Sequence, residues 1–336
     1  MHHTRKIAVI LLAILFIIAG LTSCSPSVPE SQPTEENVQP QETVKYEFSV
    51  HFIDVGEGDC AVINLPDNKR MVIDCGNGKG EYVENAKSVI KSFGASNIDY
   101  LVLTHPDIDH IGGATELINE LSVGRAYLPH VVDTTLFAEF GIVKNLLKQK
   151  GTEIKISQMY DYLLGQDYLI AFLSPYPVDF PKSSYKDINT ATPTEQHIND
   201  VSPIIYVEYK GVRFIFTGDA GQTQEKVVLD TLEIGLYQKF FDAKGCKINL
   251  SNVDFLKVAH HGAKDCTGDE FLNLLKPKNA LISVGGNNSY GHPSSQTLAR
   301  LTRSKADIKI YRTDVDGNVS VYVDVEGNTI IQTQSK

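Results

Sequence analysis

Beyond residue 45, the alternation of apolar and polar positions predicts a series of strands and helices. Apolar residues at every second position of 46–52 predict a strand, and two shorter strands around Cys60 and Cys75 continue it as a meander. A mostly apolar strand is predicted at 98–103. Helices are predicted at 82–93, 115–121 and 136–150. The first half of this region therefore alternates strands with helices.

The second half repeats this order and places polar residues after its strands. A hairpin is predicted from strands at 203–209 and 212–216, and single strands at 255–259 and 280–284 follow it. A second hairpin is predicted at 319–325 and 329–333. Strands that alternate with helices, with polar loops at the strand ends, are typical of an α/β fold that carries a site along one edge.

The first residues have the pattern of an export signal. Two basic residues precede a nearly continuous apolar run at 7–20, and small residues stand directly before Cys24. We interpret 1–23 as a lipoprotein signal peptide and Cys24 as the residue that is lipidated after cleavage. An uncleaved anchor helix is the alternative. Both interpretations place the protein outside the cytoplasmic membrane and attach it there.

Composition separates a tether from one folded domain. Residues 24–45 are rich in Pro, Ser, Glu and Gln and predict a disordered tether, whereas 46–336 predict the folded domain. With 42% hydrophobic residues in 336, the chain can build a substantial core. The formal net charge of −10 argues against a broad basic surface for nucleic acid, although a local basic groove is compatible with it.

Two cysteines fall on the predicted meander. If the turn between the strands is centred on 66–69, Cys60 lies opposite Cys75, which predicts a cross-strand disulfide in an oxidising compartment. Two small buried thiols are the alternative, because free cysteine packs as a small apolar side chain.

The loop after the strand at 98–103 holds four potential metal ligands within six residues. They are His105, Asp107, Asp109 and His110. Imidazole and carboxylate suit zinc, manganese or iron, and adjacent ligands can face two different ions. A solvated loop whose aspartates cap the next helix is the alternative.

Three further polar clusters follow later strands. Asp219 stands between a strand and a helix, where it could bridge two ions or cap the helix. His260 and His261 end the strand at 255–259, and His292 lies in the glycine-rich loop at 285–293. Side chains gathered at strand ends are expected to share one site.

In this order, these motifs resemble the metallo-β-lactamase superfamily, whose four-layer αββα sandwich holds one or two metals. The loop HPDIDHIGG is similar to the subgroup related to the extracytoplasmic domain of ComEC competence proteins, with Asp107 where the superfamily usually has a second histidine. Further segments that resemble this subgroup are 54–59 (DVGEGD), 199–202 (NDVS), 216–219 (FTGD), 257–262 (KVAHHG), 290–293 (YGHP) and 312–314 (RTD).

The resemblance implies two divalent ions, zinc or manganese. His105 and Asp107 would bind the first ion. Asp109, His110 and His260 would bind the second, and Asp219 would bridge them. His261 is the alternative to His260. Asn199 and Asp200 stand where the superfamily often supplies a third ligand to the first ion, and this ligand stays open.

Four residues receive roles near the ions. Asp109 could orient the attacking water. His292 is the candidate for stabilising the transition state or protonating the leaving oxygen, with a simple turn residue as the alternative. Asp54 and Asp59 either support the first metal's loop through hydrogen bonds or shape the glycine-rich turn.

The resemblance implies a hydrolase that uses a metal-activated water. Asp107 makes the site harder and more anionic, which favours manganese without excluding zinc and favours phosphodiesters over lactams. The expected partners are a phosphodiester, with DNA as the leading substrate, and the membrane through the N-terminal lipid; no protein partner is inferred. The alternatives are a phosphorylcholine ester, nucleotide or lactam hydrolase of the same fold, and a non-catalytic surface binding protein.

Overall fold

The computed structural model describes residues 46–94, 96–131, 136–177, 198–305 and 307–334. The signal peptide at 1–23, the lipidation of Cys24 and the tether at 24–45 lie outside these residues and stay predictions. Within the described ranges, no helix combines the length and the apolar character that a membrane span requires.

Fifteen strands of the described chain form two mixed sheets. The strands are β1 Tyr46–Phe52, β2 Ala61–Asn64, β3 Arg70–Ile73, β4 Asn97–Val102, β5 Ser122–Leu128, β6 Glu153–Ile156, β7 Tyr162–Leu164, β8 Tyr168–Phe172, β9 Ile205–Tyr209, β10 Val212–Phe216, β11 Phe255–Lys257, β12 Asn279–Ile282, β13 Lys309–Arg312, β14 Val319–Asp324 and β15 Thr329–Thr333. The first sheet has the order β15-β14-β1-β2-β3-β4-β5-β6, and the second has the order β13-β12-β11-β10-β9-β8-β7.

Each sheet is antiparallel at one side and parallel at the other. In the first sheet the pairs from β3 to β6 are parallel, and in the second sheet the pairs from β10 to β13 are parallel. Parallel neighbours end at the same edge of a sheet. The loops after β10, β11 and β12 therefore leave one edge of the second sheet, and the loop after β4 leaves the edge of the first sheet at which its parallel neighbours end. These loops hold the polar clusters of the sequence.

Helices cover the outer faces of both sheets. They are α1 Gly80–Ser92, α2 Ile108–Ile111, α3 Ala114–Glu120, α4 Ala138–Gln149, α5 Gln222–Glu233, α6 Leu236–Asp242, α7 Asp269–Leu275, α8 Ser295–Ser304 and α9 Thr313–Asp316. A short 3₁₀ turn at Ala259–Gly262 follows β11 directly. The long helices bury one face each: α1 buries Val83, Ala86 and Ile90 against the first sheet.

Three apolar layers establish a four-layer sandwich. Between the sheets, aromatic rings stack closely, with Phe214 and Phe255 centroids 4.6 Å apart and Phe52 and Phe216 centroids 5.6 Å apart. A second layer lies between the first sheet and α1, α3 and α4, and a third lies between the second sheet and α5 to α8. The predicted αββα architecture is confirmed.

The alternation in β1 shows how the sequence produces these layers. Phe48, Val50 and Phe52 point into the layer between the sheets. The intervening Ser49 and His51 face the other side, where the ring of His51 lies 4.8 Å from that of Phe93. Successive side chains of a strand point to opposite faces, so the period of two selects which side chains enter the central layer.

The predicted disulfide is wrong, because Cys60 and Cys75 are free and buried thiols in the structure. The ladder pairs Ala61 with Ile73, and its continuation places Cys60 opposite Asp74 rather than opposite Cys75. A shift of one residue is enough to misalign the two side chains. Burial raises the pKa of both thiols, so they behave as small apolar groups of the core.

Candidate metal centre

Asp219 lies close to two histidines that follow a different strand of the chain. Its Oδ1 is 3.2 Å from His110 Nε2, and its Oδ2 is 3.8 Å from His105 Nε2. The histidines follow β4 of the first sheet, whereas Asp219 follows β10 of the second. The two sheets thus bring their strand ends together, and each oxygen of one carboxylate faces its own imidazole.

His110 is fixed in orientation by a fully buried carboxylate. Its Nδ1–H donates to Asp74 Oδ2 over 2.8 Å. Asp74 in turn accepts from the backbone N–H and the hydroxyl of Thr104, each also over 2.8 Å. With one proton committed at Nδ1, the imidazole turns Nε2 toward Asp219, and Nε2 is the atom that can bind a metal once its own proton is displaced. Histidines that bind metals are commonly held in this way by a second carboxylate.

His105 takes the same tautomer through the Thr104 hydroxyl, which stands between it and Asp74. Its Nδ1 lies 3.1 Å from Thr104 Oγ1, whose own proton goes to Asp74. The hydroxyl therefore accepts from the Nδ1–H of His105, and Nε2 is left without a proton. Asp107 lies on the same side, with its Oδ2 3.7 Å from His105 Nε2. The pair matches the ligands that the resemblance assigns to one ion.

His261 reaches the other side of Asp219. Its Nδ1–H donates to the carbonyl of Ser283 over 2.8 Å, which requires the proton at Nδ1. Its Nε2 is then 3.2 Å from Asp109 Oδ2 and 3.6 Å from Asp219 Oδ2. Asp109, His261 and one oxygen of Asp219 are thus arranged around the same space.

His260 approaches the centre from its more open side. Its Nε2 is 3.7 Å from Asp219 Oδ2, and its side chain is 27% exposed, compared with 2% for His261. Both residues adopt left-handed backbone conformations, with φ of 49° and 51°. Two consecutive residues with side chains in this region indicate a turn maintained by its surroundings. The turn brings the second histidine, not the first, next to Asp109, so the geometry favours His261 over His260 as the partner of Asp109.

Asn199 borders the cleft, and Asp200 lies behind it. Asn199 Nδ2 is 3.3 Å from His260 Nδ1, while its buried Oδ1 has no hydrogen-bond partner among the described residues. Asp200 is buried and does not line the cleft. Asn199 is therefore the better placed of the two to complete a ligand set.

Asp59 and Lys257 form a buried ion pair beneath the histidines. The ammonium of Lys257 contacts Asp59 Oδ2 and donates to the Gly218 carbonyl over 3.3 Å. Asp59 Oδ1 is 3.4 Å from His261 Nδ1, on the side of the ring that faces away from Asp219. Asp59 consequently supports the histidine. The carboxylate of Asp54 accepts from the Gly56 N–H and shapes the turn.

Gly58 allows this turn to rest on the metal-ligand loop. Its φ is +129°, and a Cβ at this position would lie 2.1 Å from the carbonyl oxygen of Asp109. The next amide, from Asp59, donates to that same carbonyl over 3.2 Å. A residue without a side chain is therefore required where the β1–β2 turn meets α2.

The carboxylates of the centre raise the pKa values of two of its histidines. Burial alone would lower the pKa of His261, but Asp219, Asp109 and Asp59 together raise it to about 10. The pKa of His110 is likewise raised well above its ordinary value, against the effect of burial, by Asp219 and Asp74. Burial, reinforced by His110, lowers the pKa of His105 to about 3. Divalent cations bound here would replace protons on the imidazoles.

The donor atoms fit such cations. His105 Nε2, His110 Nε2 and Asp219 Oδ1 are buried without a hydrogen-bond partner in the described chain. Ligand atoms of these three residues lie within 4.8 Å of one another. Buried polar atoms are otherwise almost always paired. A mixed set of nitrogen and oxygen donors with unused lone pairs suits a site for two metals.

A cleft of about 380 Å³ opens over the centre. Asp107, Asp109 and Asp219 form part of its lining, and His292 stands in the loop at 285–293. The His292 ring is 5.5 Å from that of His260, and its Nδ1 is 3.6 Å from Glu57 Oε1. The structure thus places the predicted acid candidate in the same cleft as the predicted ligands.

Comparison with known proteins identifies the family of the chain. The model of the metallo-beta-lactamase superfamily matches residues 53–286, which is more than half of the chain. The chain belongs to the metallo-beta-lactamase superfamily. Membership indicates a metal-dependent hydrolase, and the histidine and aspartate clusters suit the two-metal site of such an enzyme.

Superfamily relatives include competence proteins, as the sequence motifs predicted. ComE operon protein 3 of Bacillus subtilis is 31% identical over 81% of this chain and 33% of its own length. Competence protein ComA of Neisseria gonorrhoeae is 24% identical over 90% of this chain and 34% of its own. The chain spans about a third of the length of these relatives. The solved structure of the metallo-beta-lactamase fold protein YhfI of Bacillus subtilis covers 85% of this chain and 99% of its own, with 11% identity and a TM-score of 0.44.

Sequence reasoning missed the groups behind the ligands. Asp74, Thr104 and Lys257 orient or balance the centre, yet the sequence pattern assigned no role to any of them, although Lys257 begins the KVAHHG segment. Asp74 had a readable signal, because it directly follows strand β3, and Asp219 likewise stands three residues after the end of β10. Lys257 is the last residue of β11 and is nearly fully buried, which is unusual for lysine.

Proposed function

We propose that this chain is an extracytoplasmic, lipid-anchored, metal-dependent phosphodiesterase, with DNA as its leading substrate. The observation that carries the proposal is the position of Asp219, whose two oxygens face separate imidazoles at the base of an open cleft. Such an arrangement suits two cations a short distance apart, which is the usual apparatus for cleaving phosphate esters.

The residues divide into two ligand sets around Asp219. His105 and Asp107 would hold one cation, with Asn199 close by. Asp109, His110 and His261 would hold the other. Bound divalent metals supply a water of lowered pKa and neutralise negative charge on the reacting group.

Other side chains of the cleft act on the substrate itself. Lys264 lines the cleft and provides a cation for a neighbouring phosphate. His292 is the candidate proton donor to the leaving oxygen, and Glu57 lies close enough to orient its ring. Asp107 adds a hard oxygen donor where most superfamily members have imidazole, and this favours manganese as well as zinc and a phosphodiester over a lactam.

Two further observations support the choice of DNA and of the location. The relatives named above are competence proteins. The apolar run at 7–20 followed by Cys24 supports export and lipid anchoring of this chain.

An activity screen tests the proposal. The purified chain is incubated with manganese or zinc and, separately, single-stranded DNA, bis-p-nitrophenyl phosphate and a chromogenic β-lactam. We expect metal-dependent cleavage of both phosphodiesters and its loss in Asp109→Ala. Asp242→Asn, which alters an exposed carboxylate on α6 remote from the cleft, is the matched control and should retain activity.

Three results would contradict the proposal and identify its rivals. Cleavage of the lactam alone would assign another substrate class to the same fold. Cleavage of bis-p-nitrophenyl phosphate without DNA would indicate a small-molecule hydrolase, such as one that acts on a nucleotide or phosphorylcholine ester. Less than one bound metal per chain after reconstitution, unchanged in Asp109→Ala, would indicate a non-catalytic binding protein.

A further inference from the structure

Tyr290 presents an exposed aromatic ring at the cleft. Its exposure of 73% is the highest among the large apolar side chains of the described residues, and the residue lines the cleft together with Asp107 and Asp109. Most tyrosines of the chain bury their rings at least partly, because ring burial is favourable. A ring left open beside a site is available to a ligand.

The ring is held in place from behind. It stacks on the imidazole of His292, with centroids 5.7 Å apart and planes 22° from parallel. Asn288 fixes the backbone of this loop: its side chain donates to the carbonyls of Gly285 and His292 and accepts from the His292 N–H. His292 lies beside the ring of Tyr290, and the exposure of 73% shows that most of this ring is open to a ligand. Less conformational freedom is lost when a ligand stacks on a ring that is already fixed.

A short series of rings joins Tyr290 to the metal centre. His292, on which it stacks, is 5.5 Å from His260 and 6.1 Å from His261. Tyr290 and Asp219 line the same cleft, so a ligand with its phosphate at the metal centre can extend the neighbouring group toward the open ring. In a nucleic acid strand that neighbouring group is a base on its sugar.

We propose that Tyr290 stacks on a nucleobase adjacent to the scissile phosphate and so selects nucleic acid over phosphodiesters that lack a base. The proposal rests on the proposed phosphodiesterase function. Every base has a flat face, so stacking on one tyrosine holds a strand without selecting its sequence. Lys264 in the same cleft would contact a phosphate of the same strand.

Kinetics on two esters with the same leaving group test the selection. The substrates are p-nitrophenyl thymidine 5′-phosphate, which carries a base, and methyl p-nitrophenyl phosphate, which does not. Loss of one base stack predicts that Tyr290→Ala lowers kcat/KM by about 5-fold to 150-fold for the thymidine ester. The methyl ester should change by about twofold at most, and Tyr290→Phe should retain the activity of the parent chain on both esters. An equal loss on both esters would mean a structural role and would overturn the proposal.

Fluorescence tests stacking without any need for turnover. The chain contains no tryptophan, so Tyr290→Trp creates a single reporter, and Ile234→Trp creates a matched reporter at an exposed position outside the cleft. With zinc present, a short oligothymidylate should quench the first reporter and leave the second unchanged. An abasic oligomer of the same length should quench neither.

The two experiments separate the possible failures. If the parent chain cleaves neither ester and Tyr290→Trp is still quenched by oligothymidylate alone, the phosphodiesterase function fails and base stacking stands. If both esters are cleaved and no quenching occurs, the base subsite fails and the function stands. Equal quenching by the abasic oligomer would assign the surface to sugar or phosphate and would overturn the base subsite.

Discussion

Replacement of Asp74 by asparagine should weaken metal binding while the metal ligands themselves remain. Asp74 is fully buried and accepts three hydrogen bonds of 2.8 Å, from His110 Nδ1 and from the amide and hydroxyl of Thr104. In Asp74→Asn, one carboxylate oxygen becomes an NH₂ group, which cannot accept. At least one of these buried donors then loses its partner.

The expected size of the effect follows from the burial of Asp74 and from the typical cost of losing such hydrogen bonds. An unpaired buried donor costs about 1–3 kcal/mol of folding free energy. Loss of the carboxylate that holds a metal-binding histidine typically reduces metal affinity by about 10-fold to 100-fold. We therefore expect the dissociation constant for zinc or manganese to rise by this factor, because His110 Nε2 is no longer fixed toward Asp219.

Competition against a chromophoric chelator measures the affinity, and urea unfolding measures the stability. Asp99→Asn is the matched control, since Asp99 accepts from the Arg70 amide at the same sheet but away from the centre. It should keep its metal affinity, because the asparagine oxygen can still accept from the Arg70 amide. The reasoning is refuted if Asp74→Asn binds metal within about threefold of the parent chain, or if Asp99→Asn loses affinity equally.

Three further outcomes are expected. In Gly58→Ala the new Cβ would need space now held by the Asp109 carbonyl, so metal content and hydrolysis should both fall, and an unchanged metal content would contradict the close approach. Burial lowers the pKa of His51 from 6.5 to about 4. His51 therefore contributes stability that is present above pH 6.5 and is lost as pH falls toward 4. Urea unfolding should show a loss of about 3 kcal/mol over this range, and the loss should be absent in His51→Asn. The neighbouring carboxylates raise the pKa of His261 to about 10, so zinc binding at pH 7 should release protons and should strengthen as pH rises. Calorimetry in buffers of different ionisation enthalpy would detect the released protons. Binding without proton release would refute the assignment of His261 as a ligand.

The local pattern of the sequence predicts the fold better than it predicts the details of the centre. The period of two in β1 and the hairpin of β9 and β10 are properties of neighbouring residues, and both elements lie where predicted. β5 and β6 were not predicted, because the exposed glutamate and lysine of β6 and the exposed serine and glycine of β5 obscure the pattern of a strand near the edge of a sheet.

The details that were missed depend on the conformations of two turns. Cys60 and Cys75 were misaligned by one residue because the turn between β2 and β3 fixes their register. The choice between His260 and His261 depends on a left-handed turn that packs against the loop at 285–293, where a Cβ on Gly262 would lie 2.6 Å from Pro293. No spacing within the KVAHHG motif reports this contact.

The ion pair between Lys257 and Asp59 also affects the charge of the site when no metal is bound. Lys257 is covalently part of the scaffold, so it balances a buried carboxylate whether the cations are present or absent. Protons on His110 and His261 offset part of the remaining negative charge until a metal displaces them. The folded apoprotein therefore carries part of its compensating positive charge itself. We expect that the metals can be loaded, removed and exchanged after folding, unlike those of a domain that folds only around its ion.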